Sequence, residues 1–273
     1  MAHLPYPSDL TDAQWRLIEP HWPPPQAIGC PRTTELREVC NAIFYVMRAG
    51  CRWAALPHDY GMPWKTVYDD YRRWNTDGTL DTVHAALRDR GRKKAGTEPT
   101  PSAAIIDSQS VKTTQKGGAR GYEAGKQVKG RKRFICVDTV GLLWLVAILT
   151  GDTQERDGGR GVLAAVPALK ARFPRLQLIG ADGGFAGQLE EWGATVCQWM
   201  LAIVRKVKAP GFEVLPHRWI VERTFGWFGN FHRLDKDYEV NPVPSQATLY
   251  WAMTQVMVRR LTGGQVPWKP RAP

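Results

Sequence analysis

Ile105-Ile106-Asp107-Ser108 and Ile179-Gly180-Ala181-Asp182-Gly183-Gly184 are two apolar runs that each end on an acid. Short runs rich in Val and Ile, bounded by Gly or a charge, read as buried strands. A polar residue at the carboxyl end of a buried strand opens onto the crevice where α/β sheets bind ligands, and a charge there needs a partner or a metal. Working outward, 103–107, 134–137, 142–149, 176–181 and 201–207 are predicted strands. Residues 157–173, with Pro167 as a kink, 187–192, 218–234 and 245–261 are predicted helices. Three strands, then helix, strand, helix, strand and helices is an α/β order with a mixed sheet.

Before residue 100 the period is helical. Thr11 and Gln14 have capping-box spacing and open a helix over 12–22. Leu36, Val39, Cys40, Ile43, Val46 and Met47 recur at i, i+3, i+4 and i+7, with Thr34 as cap and Gly50 as stop. A third helix has Pro63 near its first turn and runs to Trp74. Its Val67, Tyr71 and Trp74 can pack inward, which leaves Lys65, Arg72 and Arg73 on the other side. Leu80, Val83, His84 and Leu87 mark a fourth helix. The expected organisation is an all-helical domain over 1–90, a linker over 91–102 rich in Gly, Pro, Thr and Lys, an α/β domain over 103–262 and a tail over 263–273.

The 273 residues, 43% hydrophobic and 10% aromatic, can bury a substantial core. No run of 18 apolar residues occurs, and the first ten residues lack a charged region followed by an apolar stretch, so a soluble, cytoplasmic protein without membrane contact is expected. Five scattered cysteines disfavour a disulfide framework and a zinc ribbon, and read as reduced, mostly buried thiols. Residues 1–100 carry 13 Lys and Arg against 12 Asp and Glu; residues 101–273 carry 24 against 14. Within the second part, 112–133 holds eight bases against the single Glu123. That focus points to a polyanion, because each phosphate neutralised by Lys or Arg releases counterion. It is expected as an exposed excursion between the first two strands, in which Lys112, Lys126, Lys129, Arg131 and Lys132 hold phosphates; a merely solvated basic loop is the alternative.

A third carboxylate, Glu222, lies in Arg218-Trp219-Ile220-Val221-Glu222-Arg223-Thr224-Phe225-Gly226-Trp227. Helical spacing aligns Arg218, Glu222, Gly226, Gly229 and Arg233 in one stripe, unlike any core face. Glycine inside a helix costs about 1 kcal/mol relative to alanine, so its presence beside Glu222 suggests close approach of another backbone, such as that of nucleic acid. A surface pair of Arg218 with Glu222 is an equal reading of the spacing. Asp138 reads as a hairpin-turn residue and Asp157 as a helix cap. Three carboxylates from two strand ends and a helix can hold two divalent cations roughly 3.5–4 Å apart, suited to in-line phosphoryl displacement. Hard oxygen ligands select magnesium or manganese. The histidines are scattered and lack metal spacing.

The phrases Ile-Ile-Asp-Ser-Gln-Ser-Val-Lys-Thr-Thr (105–114), Gly-Tyr-Glu-Ala-Gly-Lys-Gln-Val-Lys-Gly-Arg-Lys-Arg (121–133), Ala-Asp-Gly-Gly-Phe-Ala-Gly (181–187) and Arg-Trp-Ile-Val-Glu-Arg-Thr-Phe-Gly-Trp (218–227) resemble bacterial insertion-sequence transposases of family five. Leu-Thr-Asp-Ala-Gln-Trp (10–15), Arg-Ala-Gly-Cys-Arg-Trp-Ala-Ala-Leu-Pro (48–57) and Val-Tyr-Asp-Asp-Tyr-Arg-Arg-Trp (67–74) extend the resemblance over residues 8–262. It implies a DDE transposase whose catalytic domain has a ribonuclease-H-like mixed sheet. Carried over by position, Asp107, Asp182 and Glu222 form the catalytic and metal-binding triad for two Mg2+ or Mn2+ ions, and Arg218 is the motif arginine. Leu215 and Gly229 depart from the family, which has Tyr and a base there. The implied activity is cleavage at the ends of an insertion sequence and joining of the 3′-hydroxyls to target DNA, by a homodimer assembled on DNA in the bacterial cytoplasm, associated with the nucleoid. Arg233 joins the expected DNA contacts. The second and third helices would form a helix-turn-helix-like pair, with Lys65, Arg72 and Arg73 reading the element ends. The alternatives are a domesticated or decayed transposase acting as a DNA-binding regulator, and a structure-specific nuclease unrelated to mobility.

Overall fold

The computed structural model describes residues 4–23, 32–115, 118–163, 173–187, 189, 191, 193, 195, 199–204 and 218–264, with Val204 and Arg218 as backbone only. Helix α1 (Asp12–Ile18) opens on the expected capping box, in which the Thr11 hydroxyl accepts from the Gln14 amide and the Gln14 side chain from the Thr11 amide. Helix α2 (Leu36–Ala49) starts from Glu35 rather than Thr34, without a side-chain cap. It ends on Gly50, whose φ of 68° suits glycine. Helices α3 (Trp64–Thr76) and α4 (Thr79–Lys94) follow, joined by Asp77-Gly78.

Strands β1 (Ala103–Lys112), β2 (Gly121–Glu123), β3 (Val128–Asp138) and β4 (Leu143–Thr150) come next, then α5 (Glu155–Leu163), β5 (Leu178–Asp182) and β6 (Met200–Val204). Helices α6 (Arg218–Phe228) and α7 (Pro242–Leu261) complete the described elements. One edge of β3 pairs with β2 near its start and with β4 beyond, so the longer strands run β4-β3-β1-β5-β6. β3 is antiparallel to β1 and β4, whereas β5 is parallel to β1 and β6. This is the ribonuclease-H-like order, and it fits the α/β expectation.

Several boundaries differ from the sequence reading. β1 and β3 are longer than the apolar runs and are paired from Ala104↔Asp138 to Lys112↔Gly130, so much of the basic excursion is sheet. A run of charges hides the strand period, because each side chain finds a partner that lies far away in sequence. The helix over 218–234 ends at Phe228. Asp157 is the third residue of α5, not its cap. The Pro167 kink and half of 187–192 lie outside the described residues.

One core joins the helices before residue 90, α7 and one face of the sheet: Phe44, Tyr71, Trp74, Val83, Ile105, Ile135, Val137, Val221 and Trp251 belong to it. A second, with Ala104, Ile106, Phe134, Cys136, Ile179, Ala181 and Phe185, lies on the other face. The linker expected over 91–102 therefore begins too early. Helix α4 continues to Lys94, and Arg92 within it pairs with buried Asp138 at 2.8 Å. The Arg88 guanidinium lies 3.7 Å from the centre of the Trp144 ring. Asp138 closes the β3–β4 hairpin as expected, accepting from the Val140 and Leu142 amides and from Trp144 Nε1.

Helices α2 and α3 do not form a helix-turn-helix pair. The connector over 50–63 contains two 3-10 turns and exceeds the three or four residues that such a motif uses, and α2 is buried over most of its length. Cys40 and Cys136 are buried free thiols and Cys51 is half-buried; burial pushes the Cys136 thiol up to about 12. Cys30 and Cys197 lie outside the described residues. No helix among the described residues is long and apolar enough to cross a membrane.

Candidate active site

Strand alternation places the two strand acids. On β1, Ile105 faces the core shared with α6 and α7, whereas Ala104 and Ile106 face the opposite one. Asp107 therefore projects on the α6 side. On β5, Ile179 and Ala181 face away from α6, so Gly180 and Asp182 project toward it. The last paired position between these strands is Ile105↔Gly180. Two residues further along each strand stand Asp107 and Asp182, level with one another and on one face.

Helix α6 packs across β1 and β5 on this face. Its Ile220, Val221, Thr224, Trp227 and Phe228 are buried, and Glu222 is exposed. The residues after Glu222 fix the helix to the β3–β4 hairpin: Arg223 Nη2 donates to the Val140 carbonyl at 2.8 Å and Thr224 Oγ1 to the Gly141 carbonyl at 2.8 Å. Gly141 has φ 83°, and a Cβ there would meet Thr224 Oγ1 and Arg223 Nη2 at 3.0 Å. Only glycine fits both the turn and this approach.

Asp107 and Asp182 share the face on which the helix of Glu222 packs, but the three carboxylates are not closed into a cage. Asp107 Oδ1 accepts from the Ser108 amide at 2.7 Å, and Asp182 Oδ1 from the Gly184 amide at 2.9 Å. Among the described residues no three His, Cys, Asp or Glu side chains stand close enough to hold a metal ion. The donor set is nonetheless all oxygen, which suits a hard divalent cation.

Residues 98–243, more than half of the chain, match the family model described as transposase DDE domain, and residues 10–84 match that of a putative transposase of the IS4/5 family. The chain belongs to the DDE transposases. It is similar to the uncharacterized 16.2 kDa protein of insertion element IS402 from Burkholderia cepacia, with 29% identity over 113 residues, 40% of this chain and 76% of that protein. Among solved structures it is similar to the Mos1 mariner paired end complex with Mn, at 11% identity, covering 87% of this chain and 80% of that one with a TM-score of 0.31. It is also similar to the piggyBac transposase synaptic complex with hairpin DNA, at 12% identity, covering 93% and 73% with a TM-score of 0.39.

The basic residues of the transposase divide into two groups. Lys112, Lys126 and Lys129 are exposed near the far end of β1 and on the β2–β3 hairpin; Lys126 stands 3.5 Å from Glu123. Lys65, Arg72 and Arg73 are exposed on α3, as expected, although Arg73 pairs with Asp70. Arg131, Lys132 and Arg233, by contrast, are buried and do not reach the surface as phosphate holders. Alternation along β3 sends Arg131 to the α6 face, where it pairs with Asp237 at 3.0 Å and donates to the Glu239 and Val240 carbonyls. Lys132 goes to the other face, 3.3 Å from both Glu123 and Glu155. Arg233 lies beyond α6 in a 3-10 turn, paired with Glu239 at 2.6 Å, so the helical stripe ends at Gly226. The side chain of Arg218, and Leu215, lie outside the described residues.

Several supporting residues escaped the sequence reading. Arg133, which burial pushes down to about 10, donates to the Leu234 and Lys236 carbonyls and ties the segment after α6 to the sheet. Arg48 donates to the Asn230 carbonyl, and Arg233 to that of Cys51. A Cβ on Gly50 would strike the His232 backbone at 2.8 Å. The Arg-Ala-Gly-Cys phrase of the helical region is thus a clasp on the chain that leaves the Glu222 helix. Its only trace in the sequence was the phrase itself.

Proposed function

We propose that this transposase hydrolyses phosphodiester bonds at the ends of its own element and joins the 3′-hydroxyls to target DNA, with Asp107, Asp182 and Glu222 holding two magnesium or manganese ions. The supporting observation is the register that sets Asp107 and Asp182 level on adjacent strands, facing the helix of Glu222. When bound, such ions lower the pKa of the attacking water or hydroxyl and stabilise the leaving oxygen. The chain itself holds the acids on rigid elements: two strands of one sheet and a helix anchored through Arg223 and Thr224. Lys112, Lys126 and Lys129 hold backbone phosphates and position DNA rather than read bases. A homodimer on DNA would bring two element ends together. The reading is tested by incubating the chain with terminal-repeat duplex and magnesium; DNA affinity without divalent-dependent nicking would replace it by the regulator reading.

The phosphate role has its own test. Neutralising Lys112, Lys126 and Lys129 together should lower the slope of log affinity against log salt by about 0.9 for each lost duplex contact. An unchanged slope returns these lysines to solvent.

The exposed bases of α3 are proposed to read the element ends, where a bidentate Arg–guanine contact is worth about 1–3 kcal/mol of discrimination. Arg72→Ala should therefore lose more affinity for terminal-repeat DNA than for scrambled DNA in competition binding. Equal loss for both DNAs makes α3 a backbone contact.

A further inference from the structure

The face of α6 next to Glu222 carries a ladder of cations and rings. Arg223 lies 4.6 Å from the Trp219 ring centre and 4.9 Å from that of Trp227, and Arg260 of α7 lies 4.7 Å from Trp227. Stacking leaves the in-plane N–H groups of a guanidinium unsatisfied. Arg223 Nε and Arg260 Nη1 are buried and have no hydrogen-bond partner among the described residues. Two guanidiniums against the one Trp227 ring bring like charges together, which is costly without a counter-charge.

Asp138, the acid that acts on both, is consumed by Arg92, Trp144 and two amides. Beside Arg260 opens a cleft of about 220 Å³ lined by Gly91, Lys94, Ala95, Leu142, Met257 and Leu261. Lys94 Nζ spends two of its donors on the Arg260 and Leu261 carbonyls and is exposed. The cleft exceeds the roughly 30 Å³ that a water occupies in liquid, and so admits a larger oxyanion.

We propose that Arg260 and Lys94 form a phosphate-binding site between α7 and the end of α4, with Arg223 of α6 adding positive charge from the Trp227 ring that it shares with Arg260, and that the site takes a backbone phosphate of DNA. Guanidinium forks match phosphate oxygens, and partial desolvation strengthens each charge-assisted bond. The site is separate from the lysines of the β2–β3 hairpin and holds DNA on a second side of the helix that carries Glu222. The DNA occupant rests on the transposase reading; the oxyanion site does not.

The test has two arms on the full chain. In the first, inorganic phosphate replaces chloride at constant ionic strength and the Tm is followed. The wild type should gain Tm saturably, as should Arg175→Gln, an exposed control of equal charge loss. Arg223→Gln and Arg260→Gln should require at least about tenfold more phosphate, and Arg260→Lys, which keeps the charge and loses the fork, should fall between. Lys94→Ala, at an exposed position, serves if the glutamine variants do not fold, and should weaken phosphate binding severalfold. In the second arm, Arg260→Gln should lower the salt slope of duplex binding by about 0.9. Unchanged phosphate binding in the variants, or no saturable effect in the wild type, overturns the site. A phosphate effect with an unaltered duplex slope overturns DNA as its occupant. Failure of the chain to bind DNA at all, with the phosphate arm intact, counts against the transposase reading and not against the oxyanion site.

Discussion

Asp107→Asn is expected to reduce magnesium-dependent strand cleavage by about 10³-fold or more, while DNA affinity stays within about threefold of wild type. Loss of a cation ligand removes several kcal/mol of transition-state stabilisation, and about 1.4 kcal/mol corresponds to a factor of ten. Affinity should survive because the phosphate contacts proposed above, at lysines on the hairpin and at α6 and α7, do not involve Asp107. Asp107 is half-buried and accepts from the Ser108 amide through Oδ1, a bond that the side-chain carbonyl of asparagine can keep. Asp182→Asn and Glu222→Gln should behave alike. Parallel loss of cleavage and binding, or a marked fall in Tm, would make Asp107 a structural residue and dissolve the proposed site.

Arg131→Ala is expected to cost about 3–5 kcal/mol of stability, a fall of roughly 10 °C in Tm, because it strands Asp237 as a buried unpaired charge. The same change should leave the salt slope of DNA binding as it is. Lys126→Ala, a few residues earlier in the same basic segment, should do the reverse: little change in Tm and a lower slope. Replacing Arg131 and Asp237 together by Met and Leu should recover a good part of the stability, since an ion pair removed whole leaves no orphan charge. If Arg131→Ala kept the wild-type Tm and lowered the slope, the residue would leave its buried position in solution to grip phosphate, and the account of β3 would be wrong. Melting curves and binding titrations on the two single variants separate these outcomes.

What the sequence alone determined is local or periodic. The runs that end on Asp107 and Asp182 identify themselves because a buried strand must be apolar and a charge at its end is conspicuous. The capping box of α1 and the stripe of α2 follow from contacts no more than four residues apart. The mixed sheet follows from the order of such elements. The tertiary structure alone decided which charges face solvent. Lys126, Lys129, Arg131 and Lys132 look alike in the chain, yet Arg131 is bound to Asp237, 106 positions away, and Lys132 to Glu155, 23 positions away. The helical region likewise reads as a separate unit, because the pairs that fuse it to the sheet, Arg92 with Asp138 and Arg48 with Asn230, span 46 and 182 positions. Burial of a charge depends on a partner, and the partner is set by how distant segments pack; no local pattern of residues encodes it.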